Sequence, residues 1–208
     1  KGGIGCAAYD FENNTRDSSF YAGHGDAHGS ESYAVGHSGL AIDLDGTQDY
    51  VMLPANLADC EDFTFAAWIY WDGGSQWQRI FDFGANNRRY MLLTPRSGNN
   101  TLRFAITNDG TEQIIETGQL TSGTWVHVAV TLSGDTGKLF VNGSQAATNT
   151  GLTLNPADLK AMTNYLGRSH FAQDPLLNGR LDDVRIGNYA LTNAEIADMY
   201  NGTAGNIA

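Results

Sequence analysis

A glycine-rich segment near the N-terminus carries the histidine and serine residues that come closest to known metal-binding and catalytic spacings. His24 and His28 are four residues apart, the spacing of two zinc ligands on one helical face. Three glycines within residues 23–29 disfavour a helix, so a mobile polar loop is the better interpretation. Residues 36–39 (GHSG) miss the G-x-S-x-G nucleophile elbow by one residue. The sequence therefore predicts neither a zinc site nor a serine nucleophile here.

The acidic residues that could pair for catalysis or hold a metal fall into three groups. They are Asp43, Asp45 and Asp49; Asp59, Glu61 and Asp62; and Asp182 with Asp183. The first group begins like an EF-hand loop, with D-x-D-G at residues 43–46, but it lacks the twelve-residue length and the final bidentate glutamate. A strand followed by a tight turn explains it better.

Three further segments combine aromatic side chains with planar polar ones, at residues 71–78, 86–90 and 169–174. Carbohydrate recognition uses this combination, because aromatic rings cover the apolar face of a sugar and polar groups bind its hydroxyls. The candidate ligand-binding residues are Trp77, Arg88, Arg89, Tyr90, His170 and Gln173. Two alternatives stay open: the arginine pair could recognise the carboxylate of a uronic acid, and Trp77 could be a packing residue. Trp68 and Trp125 lie in apolar strands and are expected in the core.

The overall charge excludes several classes of partner. The 208 residues include 23 acidic and 12 basic side chains, which gives a net charge of −11. A strongly acidic chain repels phosphate backbones and anionic membrane surfaces, so neither nucleic acid nor membrane is an expected partner. No apolar run approaches the ~20 residues needed to cross a bilayer.

The segments between these residues are mostly short β-strands separated by Gly, Asn and Asp turns, a pattern typical of a sandwich or barrel. The predicted strands are residues 7–11, 40–44, 50–53, 63–70, 79–84, 90–94, 102–107, 113–117, 125–132, 137–141 and 179–186. Strand 125–132 alternates, which predicts that its three valines share one buried side. The pairs at 45–46, 109–110 and 142–143 are Asp-Gly or Asn-Gly and predict tight turns.

A single helix is predicted near the C-terminus. Residues 192–195 (TNAE) form a capping box, in which Thr192 and Glu195 satisfy each other's backbone amides, and Gly202 ends the helix. No linker or repeat divides the chain. The sequence therefore predicts one all-β domain over residues 1–208, a two-sheet antiparallel β-sandwich with one short C-terminal helix.

The two cysteines, Cys6 and Cys60, have no CxxC spacing and cannot form a four-thiolate zinc site. They could form one disulfide, as in an exported protein, or remain two separate buried thiols. The chain starts at Lys1 rather than methionine, which suggests a piece cleaved or excised from a longer protein, so that any signal peptide would lie upstream.

Several segments in order resemble the laminin-G-like, concanavalin-A-like jelly-roll superfamily. These are residues 8–12 with the D-S-S turn at 15–19, then 39–46 with 49–51, 63–69, 123–129, the hairpin 138–143, 178–186, 190–192 and 195–196. The resemblance implies one concave and one convex sheet, with loops that can converge at one rim. Residues 79–84 and 90–95 look like a subgroup that accompanies enzymes acting on polysaccharides.

The same superfamily includes enzymes, whose motifs differ from this sequence. Laminarinase-like relatives carry paired glutamates in E-x-D-x-x-E spacing, since retaining hydrolysis needs two carboxyl groups about 5 Å apart. Neither that motif nor the R-x-E-L-R and Q-[IV]-H strands of alginate-lyase-like relatives occurs in this chain. The resemblance therefore implies a domain without catalytic activity.

The resemblance also implies a structural calcium ion where the first and last strands meet. Asp182 resembles the last-strand aspartate ligand, Glu12 or Asp10 matches the first-strand acidic position, a carbonyl near Gly39 fills a third place, and Asp17 is a further candidate. Calcium prefers such carboxylate and carbonyl oxygens. Alternatively, Asp182 or Asp183 pairs with a neighbouring arginine and Asp17 caps a turn.

The functional expectation is a non-catalytic carbohydrate-binding module of a secreted, extracellular or cell-surface polysaccharide-degrading enzyme. Its partners would be a polysaccharide or oligosaccharide and a linked catalytic domain. The alternatives are an adhesion or protein-binding domain, a spacer, and, with least support, a glycan hydrolase or lyase. Fold alone does not decide among them.

Overall fold

The computed structural model describes residues 7–55 and 57–203, which contain fifteen β-strands, a 3-10 helix at Pro156–Leu159 and one α-helix, α1 (Asn193–Asn201). The strands are β1 (Ala7–Tyr9), β2 (Asp26–His28), β3 (Tyr33–Val35), β4 (Leu40–Asp45), β5 (Tyr50–Leu53), β6 (Phe63–Trp71), β7 (Phe81–Asn86), β8 (Arg89–Thr94), β9 (Thr101–Asn108), β10 (Gln113–Gly118), β11 (Trp125–Ser133), β12 (Thr136–Val141), β13 (Ser144–Asn149), β14 (Thr163–Leu166) and β15 (Asn178–Gly187). Cys6 lies outside the described residues, so its pairing with Cys60 stays a prediction.

The strands form two antiparallel sheets. One sheet runs β13-β12-β11-β6-β15-β4-β3, with β1 also paired to β15, which makes eight strands. The other has seven strands in the order β10-β9-β8-β7-β14-β5-β2. Strands that are distant in sequence are neighbours in both sheets, as in a jelly roll. The predicted all-β sandwich with one short C-terminal helix is confirmed.

The core lies between the two sheets and is one continuous apolar cluster. Phe65 of β6 meets Phe81 of β7 across the interface, with ring centroids 4.4 Å apart. The valines of β11 (Val126, Val128 and Val130) all face this core, as the alternating pattern predicts. Apolar burial of this kind is the main stabilising contribution in a sandwich.

The helix forms where the capping box predicts it. The Thr192 hydroxyl accepts a hydrogen bond from the Glu195 amide, and Gly202 ends the helix in the left-handed conformation, at φ 65°. Ile196 anchors the helix in a small apolar cluster on the outer face of the eight-stranded sheet. Among the described residues, no helix has the length and apolar character needed to cross a membrane.

Four strands have no counterpart in the sequence prediction: β2, β3, β13 and β14. The prediction of a mobile loop over residues 23–29 is wrong at β2, where His28 pairs with Tyr50 of β5. β13 has the polar sequence SQAATN and lies at a sheet edge, so it lacks the apolar alternation that marks a half-buried strand. Tertiary pairing, rather than local pattern, determines these strands.

The outer face of the seven-stranded sheet is partly covered by the segment between β14 and β15, residues 167–177. Tyr90, Leu92 and Ala105 form a small apolar cluster on this face, and Phe171 packs against it from the covering segment. A buried patch outside the main core is thus created where a loop folds back onto the sheet. The candidate site lies beside it.

Candidate functional site

A pocket of about 180 Å³ opens on the outer face of the seven-stranded sheet. The residues that line this Trp77 pocket are Trp77, Arg79, Tyr90, Glu112, Phe171 and Asp174. They come from the loop after β6, from β8, from the β9–β10 turn and from residues 167–177. The sheet fixes one wall, because Tyr90 faces outward while the next residue, Met91, lies in the core.

The apolar walls of the pocket are aromatic. Trp77 adopts a left-handed backbone conformation, at φ 70°, and its amide donates to the Arg96 carbonyl at 2.8 Å. Gly98 lies against the indole so closely that an added Cβ would be 3.0 Å from it, which leaves the ring little room to turn. Opposite, Tyr90 and Phe171 meet edge to face with ring centroids 5.5 Å apart. Such rings bind ligands with little loss of side-chain entropy.

The phenol of Tyr90 is held in the lining of the pocket by a hydrogen bond. Its hydroxyl donates to Glu112 Oε1 at 2.6 Å. Burial, followed by the hydrogen bond to Glu112 and the charge of that carboxylate, raises the pKa of Tyr90 above its usual range. The tyrosine therefore remains a neutral hydrogen-bond donor at neutral pH, and the remaining oxygen lone pairs of Glu112 can accept further hydrogen bonds.

Two arginines contact the Trp77 ring, and both are neutralised within the protein. Arg79 is only 2% exposed and donates to Asp82 at 3.2 Å and to Asp174 at 2.7 Å. Arg103 donates to Glu116 at 2.9 Å. Each guanidinium carbon lies 5.6 Å from the centroid of the indole. Their charges stabilise the pocket wall and leave no uncompensated cation in its lining.

Asp82 organises this site from beneath, although it does not line the pocket. Its side chain is completely buried and accepts from Arg79, from the His170 amide at 3.2 Å and from the His170 imidazole at 2.7 Å. The Ser169 hydroxyl joins the network by donating to Asp174 at 2.9 Å. One carboxylate thereby fixes both the arginine and the covering segment 167–177.

The structure brings together two of the six ligand-binding residues that the sequence indicates, Trp77 and Tyr90. His170 lies below the pocket on Asp82, and Gln173 is exposed beside it. Arg88 and Arg89 form ion pairs with Asp109 at 3.0 and 3.7 Å, away from the pocket lining.

The predicted calcium ligands lie near the junction of β1, β4 and β15. Asp182 is 1% exposed; its Oδ2 accepts from the Ser38 amide at 3.0 Å, while its Oδ1 is buried without a partner. Glu12 accepts from the Leu40 amide at 3.1 Å and lies directly against Gly39. Burial raises the pKa of Asp182 to about 6, and the charge of Asp183 adds to this effect.

The other two candidate ligands already have several partners. Asp10 forms an ion pair with Arg185 at 2.6 Å and accepts from Ser18. Asp17 accepts from the amides of Ala8, Ser19 and Gly23, at 2.8–2.9 Å, as a turn-capping aspartate does. Within residues 7–55 and 57–203, no three acidic, histidine or cysteine side chains are grouped as metal ligands.

Comparison with protein families identifies the fold. A laminin-G family model, described as the concanavalin A-like lectin/glucanases superfamily, matches residues 45–197. The chain belongs to this superfamily. A search of curated protein sequences finds no significant match.

Solved structures of this superfamily's fold superpose closely on the chain. One is domain 4 of AbnA, a GH43 extracellular arabinanase from Geobacillus stearothermophilus, in complex with arabinotriose: the TM-score is 0.83 at 22% identity, covering 96% of this chain and 100% of that chain. Another is the binding domain of botulinum neurotoxin serotype D/C VPI 5993, with a TM-score of 0.76 at 18% identity, covering 96% of this chain and 52% of that one. A third is a structure of botulinum neurotoxin type C, whose cell entry depends on two ganglioside molecules. Its TM-score is 0.72 at 18% identity, covering 96% of this chain and 51% of that chain. The chain thus spans about half of these neurotoxin domains. At such identities the likeness shows the shared fold.

The opposite sheet of this concanavalin A-like domain carries a second aromatic group. Trp68 is 8% exposed, but it lies on the outer face, stacked on His37 with centroids 3.4 Å apart, rather than in the main core. Trp125 is half-buried on the same face. The buried imidazole of His127 lies beside Trp68, and burial, with a smaller effect of the charge on His37, lowers its pKa to about 4.

Proposed function

We propose that the chain is a carbohydrate-binding module that holds one sugar ring of an oligosaccharide in the Trp77 pocket. The observation that carries this proposal is the combination of three aromatic walls, Trp77, Tyr90 and Phe171, with two carboxylates fixed by internal hydrogen bonds. Aromatic rings cover the apolar face of a sugar, while convergent acceptors bind its hydroxyl groups.

The volume and charge of the pocket limit the ring it accepts. A volume of about 180 Å³ is below that of typical drug-sized pockets, which start at roughly 300 Å³, so the pocket suits a single ring with the remaining chain outside it. Arg79 and Arg103 form ion pairs with carboxylates of the protein itself. Glu112 and Asp174 provide acceptor oxygens in the pocket lining. A neutral, hydroxyl-rich ring is the ligand that satisfies such acceptors.

Catalysis is not part of this proposal. Glu112 is held by Tyr90 and lies 3.8 Å from Arg103, while Asp174 is held by Arg79 and Ser169. A retaining or inverting pair requires one carboxyl group to donate a proton and another to act as nucleophile or base. Both carboxylates are thus held by internal partners, an arrangement that suits the binding of hydroxyl groups.

The wider setting follows by analogy with the structural neighbours. The arabinanase domain was solved in complex with arabinotriose and belongs to an extracellular enzyme. We therefore propose that this domain is secreted, accompanies a linked catalytic domain that degrades polysaccharide, and keeps that enzyme on its substrate. Adhesion to a protein is the second candidate, but an indented aromatic pocket suits a sugar better than a flat protein surface.

Calorimetric titration with a panel of oligosaccharides, arabinotriose among them, tests the proposal. We expect Trp77→Ala to weaken binding at least tenfold, about 1.4 kcal/mol. The matched control is Trp125→Ala, which truncates a tryptophan on the opposite sheet and should leave affinity unchanged. Phe171→Ala supplies a second variant on the opposite wall, in case Trp77→Ala does not fold. Equal affinities for the wild type and both pocket variants would refute the site.

We also propose a structural calcium ion held by Asp182, Glu12 and backbone carbonyl oxygen near Gly39. The observation that supports it is the buried, partnerless Oδ1 of Asp182, since such an atom is rare unless an ion or water satisfies it. Asp10 and Asp17 are less suitable ligands because other partners already occupy them. The ion would supply the positive charge that keeps Asp182 ionised despite its burial.

A thermal melt with calcium and with chelator tests this ion. At one hundred times its dissociation constant, calcium would stabilise the fold by about 2.7 kcal/mol, or roughly 5–10 °C in a domain of this size. Asp182→Asn should abolish the difference, whereas Asp109→Asn, on a distant exposed loop, should preserve it. Identical melting temperatures in calcium and in chelator contradict the proposal.

A further inference from the structure

A second, larger pocket of about 430 Å³ adjoins the Trp77 pocket across residues 167–177. The residues of this Arg168 pocket that bear on its chemistry are Thr47, Gln48, Tyr50, Arg168 and Ser169. Its lining is mostly polar, and Phe171 and Asp174 line both pockets. A ligand that places one ring in the Trp77 pocket can therefore extend directly into the Arg168 pocket.

Arg168 differs from the arginines of the Trp77 pocket because its charge has no carboxylate partner among the described residues. Its guanidinium carbon instead lies 4.6 Å from the ring centroid of Tyr50 and 5.4 Å from that of Tyr165. Aromatic stacking holds a guanidinium without using its N–H groups. Arg168 thus presents oriented donors that no acidic side chain among the described residues occupies.

The aromatic support of Arg168 is itself fixed by the sheet. Tyr50 in β5 pairs in register with His28 in β2, and their rings stack with centroids 4.5 Å apart. Tyr165 of the neighbouring β14 meets Tyr50 edge to face at 5.7 Å. The guanidinium therefore rests on a platform built by three adjacent strands, which reduces the entropy lost when it binds a ligand.

Two acidic groups beside this pocket, Asp174 and Asp45, are engaged elsewhere. Asp174 accepts a hydrogen bond from Arg79 in an ion pair at 2.7 Å. Asp45 accepts hydrogen bonds from three backbone amides, those of Thr47, Gln48 and Asp49. Desolvation opposes ionisation of this carboxyl group, but its hydrogen bonds outweigh that effect and lower its pKa to about 2. Neither carboxylate neutralises Arg168, so a positive centre remains on an otherwise strongly acidic protein.

We propose that the Arg168 pocket binds the carboxylate of a uronic acid residue that follows the neutral sugar held in the Trp77 pocket. This inference rests on the proposed function and adds the charge of the ligand: an acidic heteropolysaccharide rather than a neutral homopolymer. The planar fork of arginine matches a carboxylate through two parallel hydrogen bonds. The polar lining of Thr47, Gln48 and Ser169 suits the hydroxyl groups of the same residue.

The experiment compares each oligosaccharide with its own neutral counterpart. Oligosaccharides that contain one uronic acid beside neutral sugars are titrated before and after chemical reduction of the carboxyl group. We expect the wild type to bind the acidic form about tenfold more tightly, which corresponds to about 1.4 kcal/mol. Arg168→Gln should remove this preference, because it weakens binding of the acidic form more than binding of the reduced form. Arg88→Gln, an arginine already paired with Asp109, serves as the matched control and should retain the preference.

The outcomes separate this inference from the proposed function. Equal binding of acidic and reduced forms by the wild type overturns the carboxylate site while the Trp77 pocket stands. A stronger preference for sulfated oligosaccharides over uronic acids overturns the carboxylate assignment, because the anion would then be a sulfate ester. Failure to bind any member of the panel refutes both proposals. Arg168→Lys keeps the positive charge but lacks the planar guanidinium, so it should show an intermediate preference for the acidic form. This result would show that the preference lost in Arg168→Gln does not come from a folding defect.

Discussion

Removing the Asp82 carboxylate tests whether a buried ionic network supports the Trp77 pocket. Alanine at this position deletes the acceptor for Arg79 and for both the amide and the imidazole of His170. Arg79 stays buried but retains its bond to Asp174, so one acid remains to balance its charge. The covering segment 167–177 loses the two contacts of His170 with Asp82.

The expected cost follows from this geometry. Breaking a buried ion pair by removing one partner costs about 3–5 kcal/mol, because the remaining charge is left desolvated. The remaining Asp174 contact places Asp82→Ala near the lower limit, at about 3 kcal/mol. In a domain of this size, each kcal/mol corresponds to roughly 2–4 °C, so the melting temperature should fall by on the order of 10 °C.

The assays are denaturant unfolding and thermal melting of the wild type, Asp82→Ala and the control Asp109→Ala. Asp109 also contacts two arginines, Arg88 and Arg89, but it is 48% exposed and its ion pairs should contribute less than about 1 kcal/mol. Asp82→Ala should also weaken sugar binding, because the pocket wall loses its support. If the two variants lose equal stability, the reasoning that burial gives the Asp82 network its importance is wrong.

Two further predictions concern pH and the helix. In chelator, the raised pKa of Asp182, about 6, favours the folded state below pH 4, and this contribution is lost as pH rises through 6. The lowered pKa of His127, about 4, acts in the opposite direction: its contribution is present above pH 6.5 and is lost as pH falls through 4. Between pH 4 and 7, the free energy of unfolding should therefore fall more steeply on acidification in Asp182→Asn than in the wild type, and less steeply in His127→Gln. The same pH dependence in all three proteins would contradict both assignments. Thr192→Ala should cost about 1 kcal/mol of stability by removing the helix cap, while Thr111→Ala, at an exposed position, should cost nothing measurable; equal losses would show that the cap contributes little.

The sequence predicts the fold well because the decisive signals are local. The alternation of residues 125–132 places three valines on one side of a strand, and the structure buries that side. The Thr192 capping box forms its helix at the predicted position. The polar strands, such as β2 and β13, carry no such periodicity, so only their pairing partners reveal them.

The site is predicted less completely because its chemistry joins distant segments. Residue type alone identifies Trp77 and Tyr90 as aromatic platforms. Asp82 lies between Phe81 and Phe83 in an apolar strand. An acidic residue at such a position is a signal that a polar partner covers the outer face of the sheet there. Its partner His170 is 88 residues away in sequence, and no spacing rule connects them.

Charge compensation is the other feature that the sequence conceals. Arg88 and Arg89 resemble a free basic pair in the sequence, but the β9–β10 turn brings Asp109 to both of them. Arg168 carries no motif, yet the fold stacks it on two tyrosines, with no acidic partner in the part of the chain that the structure describes. The availability of an arginine for a ligand depends on which acids the topology places beside it.

The most direct test of sugar binding in the Trp77 pocket is an NMR titration that follows the indole N–H signals of the four tryptophans. The chain has Trp68, Trp71, Trp77 and Trp125, and the pocket contains one of them. On addition of the oligosaccharide that binds best, the Trp77 signal should move in proportion to occupancy while the Trp125 signal stays in place. Movement of Trp125 with an unchanged Trp77 signal would place the ligand on the opposite sheet and contradict the account.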